Sequence, residues 1–192
     1  MAFRQAPDFA ALIARICKAL RQTDLPFMLI GGQAVLLHGQ PRLTEDIDIT
    51  LGVDPGELPS VLEACEIADL DILPEEPDTF VNETFVLPAR DPATSIRIDL
   101  IFSAFPYERQ AIERAVRIDL SGESVPFATA EDLILHKLFS GRARDIEDIH
   151  GIILLRGESL DWEYMERWAR EFSAVPGRED LPDLLNEIRS DA

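Results

Sequence analysis

The stretch Met28–Leu51, MLIGGQAVLLHGQPRLTEDIDITL, decides how the rest of the chain is read. It opens on an apolar run, Phe27-Met28-Leu29-Ile30, bounded by Pro26 and the pair Gly31-Gly32, which predicts a short buried strand. Gln33 to His38 follows as one or two helical turns, stopped by Gly39 and Pro41. Asp46 to Leu51 then alternates, with Ile47, Ile49 and Leu51 on one face of a second strand and Asp46, Asp48 and Thr50 on the other. Two carboxylates on one strand face lie roughly 7 Å apart at Cα, close enough to share a divalent cation. The glycine pair offers backbone N–H groups at a helix start, which suits a phosphate. A phosphate site followed by a metal site is a layout for handling a nucleoside triphosphate.

Outward from this stretch the texture is mixed, then helical. Phe9, Leu12, Ile13, Ile16, Cys17 and Leu20 follow helical spacing and predict an amphipathic helix over 8–22. Leu58, Val61, Leu62 and Cys65 mark another helix, and the acidic, proline-containing 70–78 reads as connection, with room for a short strand at its start. Strands are expected at 79–87 and 95–102, paired as a hairpin, with a helix near 107–116 and a small hairpin of 117–120 with 124–127. Beyond Thr129, which can cap a helix with Asp132 at its third position, the apolar spacing is helical to the end. The fold class expected is α/β (α+β): a core of residues 1–120 around a small mixed sheet, and a helical region, 121–192.

Among 192 residues there are 36 Asp and Glu against 18 Lys and Arg, a net charge of −18 that argues against loose binding to nucleic acid or to an anionic membrane. Cys17 and Cys65 fall on apolar helix stripes and read as core thiols of a reducing compartment. His38, His136 and His150 lack metal-ligand spacing and read as structural. No run reaches transmembrane length and no signal pattern opens the chain, so a cytoplasmic location is expected.

The pair Asp46 and Asp48 calls for a third carboxylate, and Asp99 in Arg97-Ile98-Asp99-Leu100-Ile101 is the leading choice, because a mid-strand Asp is otherwise unfavourable. Three carboxylates on adjacent strands can hold two Mg²⁺ ions roughly 4 Å apart. The competing reading makes all three the solvated face of half-exposed strands. Arg42 could bind triphosphate oxygens and Thr44 a phosphate, or they could be a surface Arg and a turn-stabilising Thr. Lys137 lies beside Leu133 and Ile134 on a helix, so its stem would cross apolar surface with the ammonium reaching a cleft. Arg144 and Asp148 are spaced for a surface ion pair.

Gly31-Gly32, thirteen residues, then Asp46-Ile47-Asp48 resembles the Gly-Gly/Ser…Asp-x-Asp signature of the DNA polymerase β-like nucleotidyltransferase superfamily. Arg42-x-Thr44-x-Asp46-x-Asp48 narrows the resemblance to small bacterial nucleotidyltransferases of the AbiEii toxin kind and their aminoglycoside-modifying relatives. Lys137 followed by Arg144-Asp145-x-x-Asp148 is similar to the third AbiEii motif, without deciding between Asp145 and Asp148 as the acidic residue that matters.

The resemblance implies transfer of a nucleoside monophosphate from an NTP to an acceptor hydroxyl, with pyrophosphate leaving and Mg²⁺ as cofactor. Within it Asp46, Asp48 and Asp99 are metal ligands, Gly31, Gly32, Arg42 and Thr44 bind nucleotide, and Lys137 contacts its phosphates. The acceptor implied is RNA or protein, in a toxin that can have a cognate antitoxin. Two alternatives stay open: an aminoglycoside-type enzyme acting on a small cationic sugar, and a non-catalytic, antitoxin-like binding module.

Overall fold

The structure is a computed structural model and describes residues 9–40, 43–103 and 105–190. By internal contacts the chain divides into two compact units. One comprises the described residues up to Leu29 with Glu45–Phe127; the other comprises Ile30–Thr44 with the residues from Ala128 onward.

The first unit holds a seven-stranded mixed sheet and four helices among the described residues. In chain order these are α1 (Phe9–Gln22), β1 (Phe27–Leu29), β2 (Asp46–Leu51), α3 (Leu58–Ile67), β3 (Asp71–Ile72), α4 (Pro77–Thr84), β4 (Val86–Arg90), β5 (Arg97–Ile101), α5 (Pro106–Arg114), β6 (Val116–Leu120) and β7 (Glu123–Phe127), where α2 (Gly31–His38) belongs to the second unit. The sheet order is β3-β4-β5-β2-β1-β7-β6. Its decisive pairing is β2 with β5, which run parallel, although β1 and β4, their outer neighbours, are each antiparallel to them. Ile47, Ile49, Leu51, Ile98 and Leu100 are buried, as the alternation requires, and α1 packs its Leu12, Ile13, Ile16, Cys17 and Leu20 stripe into the same core and against α3.

One expected strand is corrected. Residues 79–87 are not a strand: Pro77–Thr84 is helical, and the strand begins at Val86 and runs through Pro88 to Arg90. Pro77 sits in the first helical turn, where its missing N–H costs nothing, with Asp78 beside the positive end of the helix. Phe85 closes the helix in the left-handed region at φ 58°, a turn invisible to β propensity. Pro88 is tolerated because it lies at the end of the two-residue β3 ladder, where its carbonyl still accepts from the Leu73 N–H at 3.0 Å and only its own missing N–H goes unmatched.

The second unit is helical: α2, α6 (Ala130–Ser140), α7 (Ala143–Arg156), α8 (Trp162–Phe172) and α9 (Leu181–Ser190). The hydroxyl of Thr129 accepts from the Asp132 backbone N–H at 3.1 Å, the expected cap, and Gly141 ends α6 at φ +68°. Asp132 is buried, yet its two oxygens accept from the Thr129 hydroxyl at 2.8 Å and the Tyr164 hydroxyl at 2.7 Å, tying α6 to α8. Tyr164→Phe strips one donor from a buried carboxylate and is expected to cost about 1–3 kcal/mol. Urea unfolding should show a lower midpoint with unchanged slope. An unchanged midpoint would show that this bond does not hold α6 to α8.

Candidate active site

The three carboxylates singled out from sequence all belong to the sheet unit. Parallel register sets Asp48 opposite Asp99 and Asp46 opposite Arg97, so all four side chains project from one face of adjoining strands. Ile47, Ile49, Ile98 and Leu100 beneath them anchor the backbone. Asp46 is exposed, whereas Asp48 and Asp99 are half-buried. Across a parallel pair the Asp48 and Asp99 backbones lie about 4.8 Å apart, a like-charge juxtaposition that destabilises the bare sheet. Arg97 answers part of that charge: its Nε donates to Asp99 Oδ1 at 2.9 Å. Strand alternation puts Arg97 on the Asp99 face but does not mark it as the partner.

Carboxylate oxygens are the hard donors that Mg²⁺ takes, and two of them in register on one face fit such an ion. Among the described residues no three His, Cys, Asp or Glu side chains are already gathered closely enough to hold one. Asp99 is engaged by Arg97 instead.

The remaining expected residues that the structure describes lie in the helical unit. Gly31 opens α2 at φ +61°, a left-handed conformation that a Cβ disfavours, so glycine there is a backbone requirement of the turn. Gly32, the next residue, is buried. Thr44 is partly exposed in the irregular segment before β2, and Arg42 lies outside the described residues. Lys137 is not a solvated arm: its side chain is 5% exposed, with Nζ 2.6 Å from Asp148 Oδ2 and 3.1 Å from Asp145 Oδ1. Both acidic residues of the third motif thus meet the same lysine. The pairing of Lys137 across the α6–α7 turn was the missed signal; helical spacing had offered Arg144 to Asp148 instead.

His38 and the two cysteines read as core. His38 Nε2 lies 2.8 Å from the Ala128 carbonyl, and burial lowers its pKa, keeping the ring neutral at neutral pH. Burial pushes the thiols of Cys17 and Cys65 up to about 12, so neither is a nucleophile at physiological pH.

Sheet topology and the disposition of these carboxylates point to one class of enzyme, the nucleotidyltransferases. The chain belongs to the family described as nucleotidyltransferase of unknown function (DUF6036), which matches residues 8–180. No curated protein matches it by sequence. Among solved structures it is similar to an antigenic nucleotidyltransferase-like protein from Paracoccidioides brasiliensis, with 19% identity and a TM-score of 0.54 over 91% of each chain. It is also similar to the antibiotic-resistance factor ANT(2'')-Ia, with 17% identity and a TM-score of 0.50 over 95% of this chain and 91% of that one. These likenesses establish the shared fold. No helix among the described residues is long and apolar enough to cross a membrane.

Proposed function

We propose that this chain moves a nucleoside monophosphate from an NTP to an acceptor hydroxyl, with pyrophosphate leaving, and that Asp46, Asp48 and Asp99 hold the Mg²⁺ the reaction uses. The observation that carries this reading is the β2–β5 register, which places Asp48 opposite Asp99 on the face that also bears Asp46. A structural sheet gains nothing from like charges in that arrangement. Divalent ions held there, when bound, supply Lewis-acid activation of the acceptor hydroxyl and offset charge on the leaving pyrophosphate.

The chain's own residues bind and orient. The half-buried Asp48 and Asp99 are fixed by the buried isoleucines that flank them, so little reorganisation is needed when they take up their ligand. Gly31 and Gly32 are assigned to the donor phosphates through backbone N–H groups at the start of α2, with Arg42 and Thr44 steadying the same triphosphate. Lys137, neutralised by two carboxylates, contributes by holding α6 to α7. Buried thiols suit a reducing cytoplasm.

For the acceptor, the third-motif resemblance in Lys137, Asp145 and Asp148 supports an AbiEii-like enzyme acting on RNA or protein, with a cognate antitoxin as partner. Arg142 and Arg144, both exposed, are the local basic pair for such a contact. The net charge of −18 favours a second reading, a small cationic acceptor. Incubation with each labelled NTP and Mg²⁺ against total tRNA, protein and an aminoglycoside panel separates the two. Label on tRNA or protein is expected, reduced when Arg142 and Arg144 are both changed to Glu. Label on an aminoglycoside alone, undiminished by that charge reversal, would establish the second reading.

A further inference from the structure

Arg97 has no part in the reading above, yet it is placed inside the carboxylate face. Row by row, register sets Asp46 on β2 beside Arg97 on β5 and Arg90 on β4, then Asp48 beside Asp99 and Pro88. Arg97 thus has carboxylates on its β2 side and along its own strand, and a like charge on its β4 side. Its guanidinium turns to Asp99 and occupies Oδ1 at 2.9 Å. The Arg97 side chain is 54% exposed, whereas Asp99 is 20% exposed and held in the sheet. A salt link with one largely solvated partner is weak and readily exchanged.

We propose that Arg97 is a positioning residue that serves as the counter-ion of Asp99 in the cation-free protein and yields Asp99 to the divalent cation, so that it sets the affinity of the site for that cation. This rests on the metal reading of Asp46, Asp48 and Asp99. A divalent ion on the Asp99 oxygens repels a guanidinium held on Oδ1, so ion binding and the Arg97 contact compete. The exchange keeps the charge of Asp99, opposite Asp48 in the register, answered in either state, which an uncharged residue at position 97 would not do.

The test is Mn²⁺ binding by calorimetry at fixed ionic strength, with melting temperature recorded with and without the ion, for wild type, Arg97→Gln, Arg97→Lys and Asp48→Asn. Arg97→Gln should bind Mn²⁺ tighter, by about three- to tenfold, since a cation next to the site is removed. The same variant should melt lower than wild type without Mn²⁺ and lose that deficit when Mn²⁺ is saturating. A merely structural arginine would leave the deficit in place. Arg97→Lys keeps the charge but not the planar donor, and its affinity should stay within about twofold of wild type. It also reports on the site should Arg97→Gln fail to fold, a gain beyond about threefold in the lysine variant then counting against charge as the competing feature. Affinity unchanged or weakened in Arg97→Gln, with Asp48→Asn abolishing binding, overturns the role of Arg97 alone. No Mn²⁺ binding by wild type overturns this role together with the metal reading on which it rests.

Discussion

Asp48→Asn is expected to lower the rate of nucleotidyl transfer by roughly 10³-fold or more while leaving the fold intact. The basis is the position of Asp48 opposite Asp99 in the β2–β5 register, half-buried between Ile47 and Ile49. A cation held by these carboxylates is worth several kcal/mol of transition-state charge stabilisation, and each 1.36 kcal/mol is a factor of about ten in rate. The amide is isosteric, so packing survives, and one charge fewer relieves repulsion across the strand pair. The melting temperature without metal should therefore equal or slightly exceed that of wild type, while the gain on adding Mg²⁺ with an NTP disappears. Activity within tenfold of wild type, or an undiminished Mg²⁺ gain, would remove Asp48 from the metal site.

Lys137→Ala should have the largest effect on stability, about 3–5 kcal/mol, because it takes from two α7 carboxylates the ammonium that both of them meet. Asp148 is buried and one oxygen of Asp145 is shut off from solvent with no hydrogen-bond partner, so desolvation of these carboxylates is costly once the ammonium is gone. Equilibrium urea unfolding reads the loss directly. A second variant separates the structural role from a phosphate contact: Lys137→Met combined with Asp145→Asn and Asp148→Leu removes every charge of the cluster and should recover most of the stability. If that triple variant is stable and still transfers nucleotide well, Lys137 acts as a staple. If it is stable yet loses NTP affinity, the lysine contacts the donor phosphates, as the family resemblance implies. A cost below about 1 kcal/mol for Lys137→Ala would contradict the buried cluster itself.

The strand placement of the candidate carboxylates was legible because it depends on local pattern. Alternation in Asp46–Leu51 tells which side chains share a face, since neighbouring residues of any strand point to opposite sides. Asp99 stood out because an acidic residue sits mid-strand between Ile98 and Leu100, and it is on the expected strand. Arg97 and Asp145 were harder. Each is defined by its partner, and a charged residue two or eight positions from another carries no local mark of the pairing. Lys137 illustrates the limit most clearly, since helical spacing predicts a stem over apolar surface but cannot tell whether the ammonium meets solvent, phosphate or carboxylate.

By itself, then, the sequence determined the amphipathic α1, the carboxylate strand β2, the glycine turn at Gly31, the Thr129 cap and the helical texture beyond it. Each of these follows from interactions within a few residues. Only the tertiary structure decided that β5 runs parallel to β2, setting Asp99 opposite Asp48, and that α4 is a helix where β-rich residues suggested a strand. It also decided that Lys137 faces both Asp145 and Asp148. The physical reason is common to all three. Strand register, the fate of a marginal eight-residue segment and the partner of a buried charge are settled by burial and pairing with distant parts of the chain, and those energies outweigh local propensity.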